Sequence, residues 1–285
     1  MILLVLNAIY IIYLILPFTR IWKKQVLNFT KEIEGNEISL MIANVYQDNT
    51  NYKGCLKEIN RVNPDVVLLL ETGPKWEEET RILENDFPYC IKAPLDNTYG
   101  MLLYSKLALE DRSVRFLVED DIPSIHAKII LRNEKRLQLY AVHPTPPVPN
   151  ENPSSMERDK ELLLIADLAK DSDIPVIVIG DLNDVAWSFT TALFLKMSGL
   201  LDPRRGRGFF NTFNAHYPFL RFPLDHAFIS VDFKLKKIRR LNNFNSDHFP
   251  MFISLQYEEI AKLQQEGLEP DADDIQTANE KKQAV

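Results

Sequence analysis

Eight residues able to hold a metal or a phosphate stand at or beside the ends of apolar runs. Asn44 lies at the end of ISLMIANV (38–45), Glu71 closes DVVLLLE (65–71), and His143 closes RLQLYAVH (136–143). Asp181 and Asn183 lie in GDLND at the end of PVIVIGD (175–181). Asp225 opens DHAFIS (225–230), and Asp247 with His248 in SDHFP stands just before PMFISLQ (250–256). A carboxylate at the end of an apolar strand has left the core and faces the sheet edge, where ligand sites are commonly built. Together these carboxylates, amides and imidazoles suit a hard cation and an anionic substrate. Each residue also has a plainer reading. Glu71 could cap the helix that begins near Pro74, Asp181 could be a turn residue, and SDHFP could be a turn before a strand. His143, ahead of Pro144, and Asn44 could simply bond to backbone. These readings must all hold at once, a much stronger condition than any one of them.

The elements that must position these residues read as short β-branched runs separated by polar segments with helical spacing. GMLLYS (100–105) and HAKIILR (126–132) complete the strand candidates. Helices are predicted over Tyr52 to Arg61, Lys75 to Asn85, Met156 to Lys170 and Ser188 to Met197. Consecutive strands between 100 and 143 disfavour a strictly alternating doubly wound fold. The pattern fits an α/β (α+β) sandwich of two packed mixed β-sheets flanked by helices.

The chain divides into residues 1–24, 37–257 and 258–285. Met1 to Thr19 carries no charged side chain before Arg20, Lys23 and Lys24, which predicts a membrane segment with a basic flank. No basic stretch precedes it and no small-residue cleavage site follows, so a cleaved signal is disfavoured. That basic flank would place the domain in the cytoplasm if the span were alone. From Glu258 onward a short helix and then a solvated, disordered acidic tail are expected. Net charge is −7, of which −5 belongs to residues 257–285, so the body is nearly neutral and bulk electrostatic capture of nucleic acid is disfavoured. Cys55 and Cys90 lack metal-ligand spacing.

In order, IANV, LLLET, YGMLLYSK, AVHP, IGDLND, PLDHAFIS and SDHFP resemble the endonuclease/exonuclease/phosphatase superfamily of DNase I-like proteins over about residues 38 to 256. The resemblance implies a DNase I-like sandwich with a divalent metal at one edge, usually Mg²⁺, with Mn²⁺ as a substitute. It implies Glu71 as the main metal ligand, with Asn44 beside it and Asp247 nearby. Asp181 resembles the carboxylate that orients or deprotonates water, and Asn183 and His143 resemble phosphate contacts. His248, held by Asp225, resembles the group that stabilises phosphoryl charge or assists the leaving group. Imidazoles are poor Mg²⁺ ligands, which agrees with placing both histidines on phosphate. The apolar N-terminus together with GRGFFNTFNAHYPFLRFPLDHAF resembles bacterial membrane-anchored members, although those commonly show Thr-Trp-Pro where Thr212, Phe213 and Asn214 stand here. That likeness leans toward a membrane-anchored, extracytoplasmic domain.

The expected activity is metal-dependent hydrolysis of a phosphate ester by a phosphodiesterase or nuclease, on a nucleic acid, lipid or small molecule. The alternatives are a phosphomonoesterase on a phosphorylated lipid or small molecule, and a catalytically silent membrane-anchored binding domain. Arg204, Arg205 and Arg207 in RRGRG read either as a phosphate clamp or as a solvated basic loop. No protein partner is inferred.

Overall fold

The runs that are apolar on both faces become the inner strands of two sheets. A computed structural model describes residues 1–147 and 154–284. In chain order the elements are α1 (Ile2–Ile15), β1 (Glu37–Asn44), α2 (Tyr52–Val62), β2 (Val66–Leu70), α3 (Pro74–Thr80), β3 (Tyr89–Ala93), β4 (Met101–Ser105), β5 (Leu109–Phe116), β6 (Pro123–Ile130), β7 (Arg136–Val142), α4 (Met156–Lys170), β8 (Val176–Asp181), α5 (Phe189–Ser198), β9 (Asp225–Ile229), β10 (Phe233–Arg240), β11 (Met251–Tyr257) and α6 (Ala272–Gln283). Among the described residues one sheet has the order β10-β11-β1-β2-β4-β3 and the other β5-β6-β7-β8-β9. The expected sandwich of two mixed sheets flanked by helices is the observed fold.

Strand alternation explains the layers. On β2, Val66, Leu68 and Leu70 enter the core between the sheets, as do Leu137, Leu139 and Ala141 of β7 and Ile177 and Ile179 of β8. The opposite faces pack under helices: Val67 and Leu69 join Cys55, Ile59 and Trp76 of α2 and α3, while Val176 and Val178 join Leu162, Ala166 and Phe194 of α4 and α5. Two parallel pairs set the position of the site. β1 pairs with β2 and β7 with β8, so all four strands send their C-terminal ends to one edge of the sandwich. Gly180 allows the second pairing, since a Cβ there would fall 1.8 Å from the Val142 carbonyl oxygen.

Three expectations fail. The membrane span is not formed: α1 has 14 residues, about 21 Å of helix against the roughly 30 Å of a bilayer core. No helix among the described residues is long and apolar enough to cross a membrane. The expected transmembrane anchor is therefore not formed, and with it the narrower likeness to membrane-anchored members loses its support. The acidic tail is ordered rather than disordered, because Asp271 and Asp274 form a capping box at the start of α6. Lys281 and Lys282 of that helix then pair with Asp159 and Asp167 of α4. Finally, RRGRG is neither a clamp nor a solvated loop. Arg204 is buried against Asp202 and His226, Arg205 stacks on Phe18, and Arg207 donates to the Val26 carbonyl. Arg205 and Arg207 fasten the segment after α1 to the domain.

One buried acid under the second sheet gives a stability prediction. Glu161 of α4 is 2% exposed and its Oε1 has no hydrogen-bond partner. Burial, and secondarily Glu119, push its carboxyl up to about 8. Because the folded value lies above the unfolded one, the unfolded chain binds fewer protons between the two. Stability is therefore full below about pH 4.5 and falls as pH rises toward 8, by up to about 1.4 kcal/mol per pH unit. Glu161→Gln removes this slope. Thermal melting at pH 5 and pH 8 should show a smaller drop in Tm for the variant than for the unaltered protein, and equal drops would refute it.

Candidate active site

Every candidate residue lies at the edge where the parallel strands end. Asn44 is the last residue of β1, Glu71 follows β2, His143 follows β7, and Asp181 is the last residue of β8. Asp225 opens β9 directly opposite Asp181 in the ladder. Asp247 and His248 precede β11, which runs antiparallel to β1. Two residues reach the site through unusual backbone: Glu71 (φ 58°) and Asn183 (φ 49°) are left-handed. Asn adopts that region readily; Glu does so at a cost that the surrounding structure must offset.

The site's centre is a chain of charge-assisted contacts. Asn44 Nδ2 donates to Glu71 Oε1 at 2.7 Å and to Asp181 Oδ2 at 3.1 Å, joining the two sheets. Asp181 Oδ1 accepts from the Asn183 backbone N–H at 3.0 Å. His248 Nδ1 meets Asp225 Oδ2 at 2.8 Å, and its Nε2 lies 3.5 Å from Asp181 Oδ2. The Asn183 side chain donates to the Pro144 carbonyl at 3.0 Å, which ties the loop after β8 to the loop carrying His143. Asp247 is partly exposed; its carbonyl accepts from Ala215 N–H.

Protonation follows from burial set against these neighbours. Burial lowers the His248 imidazole, but the carboxylates of Asp225 and Asp181 outweigh it and raise its pKa to about 10. Burial raises Asp181, and His248, His143, the Asn183 N–H and Asn44 together more than reverse that, so it lies below the ordinary Asp range. Asp225 is pushed up, chiefly by burial. Burial likewise raises Glu71 to about 7 against the Asn44 hydrogen bond. The arrangement is an imidazolium between two carboxylates, next to a third carboxyl that a cation would ionise.

Several supporting residues have no counterpart among the sequence-based candidates. Ser246 Oγ donates to the Asn44 carbonyl at 2.8 Å and accepts from His248 N–H at 3.0 Å, fixing the SDHFP turn against β1. Thr212 Oγ1 accepts from Asp225 N–H. The Phe213 ring packs 4.9 Å from that of His248, and Tyr99 lies 5.3 Å from His143 by ring centroids. Ser246 and Tyr99 fall inside the quoted motifs. Thr212 keeps the Thr of the Thr-Trp-Pro pattern and Phe213 replaces its Trp, and both still support Asp225 and His248.

The oxygen-rich donor set fits a hard divalent cation. Among the described residues, Glu71 Oε2 accepts one hydrogen bond, from the Gln47 N–H at 3.4 Å, and Asp225 Oδ1 is buried without a hydrogen-bond partner. One ligand-capable atom from each of Asp181, Asp225 and His248 also falls within a 4.8 Å cluster.

Comparison with known proteins agrees with this geometry. No curated protein sequence matches the chain. Among solved structures, humanized D. rerio TDP2 superposes with a TM-score of 0.66 at 16% identity, covering 78% of this chain and 99% of that one. D. rerio TDP2 complexed with a single-strand DNA product gives 0.65 at 16% identity, covering 77% and 99%. An endonuclease/exonuclease/phosphatase family protein from Bacteroides thetaiotaomicron gives 0.64 at 15% identity, covering 79% and 100%. At these identities the likeness is one of fold. Residues 41–248, which hold the whole site, match the Endonuclease/Exonuclease/phosphatase family, and the chain belongs to that family.

Proposed function

We propose that the chain is a divalent-metal-dependent hydrolase of phosphate diesters. The observation that carries this is the Asp181–His248–Asp225 relay, with Asn44 one hydrogen bond away from Asp181 and bonded in turn to Glu71. Phosphoryl transfer asks the protein mainly to position groups and place charge. Asp181, kept ionised, orients water and receives its proton. His248, kept charged by Asp225, donates to a phosphoryl oxygen or to the leaving group. His143 and Asn183 contact the remaining phosphoryl oxygens.

Glu71, Asn44 and Asp247 are the residues that would hold the cation. The closer cluster of Asp181, Asp225 and His248 is a weaker candidate, because a protonated imidazole has no free lone pair for a metal and its Nδ1 is committed to Asp225. Mg²⁺ suits the oxygen donors, with Mn²⁺ as a substitute; when bound it would neutralise charge on a nonbridging oxygen. Glu71, raised when metal-free, would ionise on binding.

A substrate panel with Mg²⁺ tests the reading: double- and single-stranded DNA, RNA, sphingomyelin, a phosphoinositide, and an aryl phosphodiester beside the matching aryl monoester. Turnover of the diesters should exceed that of the monoester at least tenfold. Faster monoester cleavage would favour a phosphomonoesterase, and no turnover of any ester would favour a silent binding domain.

A further inference from the structure

Immediately after His248, the Phe249 ring packs against two guanidinium groups. Arg240 sits 4.1 Å and Arg221 4.9 Å from its ring centroid. Neither arginine forms an ion pair with a carboxylate among the described residues. Both instead donate to backbone carbonyls: Arg221 Nη2 to Ala215 at 3.3 Å and Arg240 Nη1 to Asn211 at 3.0 Å. Burial, and then the Arg221 charge, push Arg240 below its ordinary range. Two like charges are thus held together without a counter-charge, an arrangement that an anion relieves.

The segment carrying Arg221 is fastened to the catalytic turn. Ala215 N–H donates to the Asp247 carbonyl, and Phe213 pairs with both Phe222 and His248. Its tip exposes aromatic rings, with Tyr217 61% and Phe219 97% accessible. Stacking surfaces beside fixed positive charge are how proteins hold single-stranded nucleic acid without reading its sequence.

We propose that Arg221, Phe249 and Arg240 form a subsite for a second phosphate of a single-stranded polynucleotide, whose bases stack on Tyr217 and Phe219. This rests on the diester reading above and narrows it, because a substrate with a single phosphate cannot use the subsite. Fixed paired charges favour a repeating polyanion over a lipid surface, for which the exposed rings alone would be sufficient.

The test uses full-length protein carrying Asp181→Asn, with Mg²⁺, to measure binding of a fluorescent ten-nucleotide single strand over a salt series. Adding Arg221→Gln and Arg240→Gln should weaken binding about tenfold or more. It should also flatten the slope of log affinity against log salt by about 0.7, the value for one phosphate contact on a single strand. Phe219→Ser, at a fully exposed position where folding is not at stake, should weaken binding about fivefold or more. With Asp181 intact, the arginine variants should lose at least tenfold more kcat/KM on the oligonucleotide than on an aryl phosphodiester. An unchanged salt slope, or equal losses on both substrates, overturns the subsite. So does unchanged oligonucleotide binding with arginine-dependent binding to phosphatidylglycerol vesicles. Absence of aryl diester turnover in the unaltered protein would instead sink the hydrolase reading, whatever the binding result.

Discussion

Replacing Asp181 with Asn lowers kcat on a phosphodiester by about 10²- to 10⁴-fold, the usual worth of a positioned base. The substitution is isosteric, and its carbonyl can still accept from the Asn183 N–H that now meets Oδ1. The other position changes in kind. Oδ2 accepts from Asn44 Nδ2 at 3.1 Å and faces His248 Nε2 at 3.5 Å. An amide nitrogen there would confront a donor on each side and could not take a proton from water. The loss should fall on kcat more than on KM, since the carboxylate acts on the attacking water rather than on the bound ester. Steady-state kinetics on an aryl phosphodiester, with a melting curve to show that the fold holds, check this. A variant within threefold of the unaltered kcat would remove Asp181 from the mechanism.

Asp225→Asn should be nearly as costly, about 10²-fold or more, and should also change the pH profile. Asp225 is the foremost support for the His248 charge, followed by Asp181. With both carboxylates present His248 titrates at about 10, so activity that needs the imidazolium persists into alkaline solution and is lost as pH rises through that value. Without the Asp225 charge the burial penalty is opposed mainly by Asp181, and the alkaline limb moves down toward neutrality. The sign is fixed: removing an anion beside a cation lowers the cation's pKa. Measuring kcat from pH 6 to 10 for both proteins checks it. An alkaline limb in the same place would show that Asp225 only orients the ring.

The site was legible in the sequence because apolar strands make their exit residues conspicuous. DVVLLLE and PVIVIGD are buried on both faces, so Glu71 and Asp181 stand out as the first polar groups after a core run. The missed strands, β3, β5 and β10, are all sheet edges. Edge strands carry charge where inner strands carry methyl groups, as in FKLKKIRR of β10 and LEDRSVRF of β5, so the alternation that marks a strand is weak. Helix α6 was hidden for a related reason: it docks through buried Ala278 and lysine–aspartate pairs rather than an apolar stripe. The largely apolar 14 residues of α1 looked like the start of a span, but Pro17 and Phe18 turn the chain back onto the domain, where the Pro17 carbonyl accepts from Gly206 N–H. The contact of Arg204 with His226 and the packing of Arg221 and Arg240 on Phe249 depend on where separate segments meet. Residue types alone carry no signal for either.

If the edge where β1, β2, β7 and β8 end is a metal-dependent phosphoester hydrolase site, hydrolysis of an aryl phosphodiester by the full-length protein should stop after EDTA treatment and return when Mg²⁺ or Mn²⁺ is restored. The Asp181→Asn protein should show no restoration. Full turnover in EDTA would show that the site works without a metal.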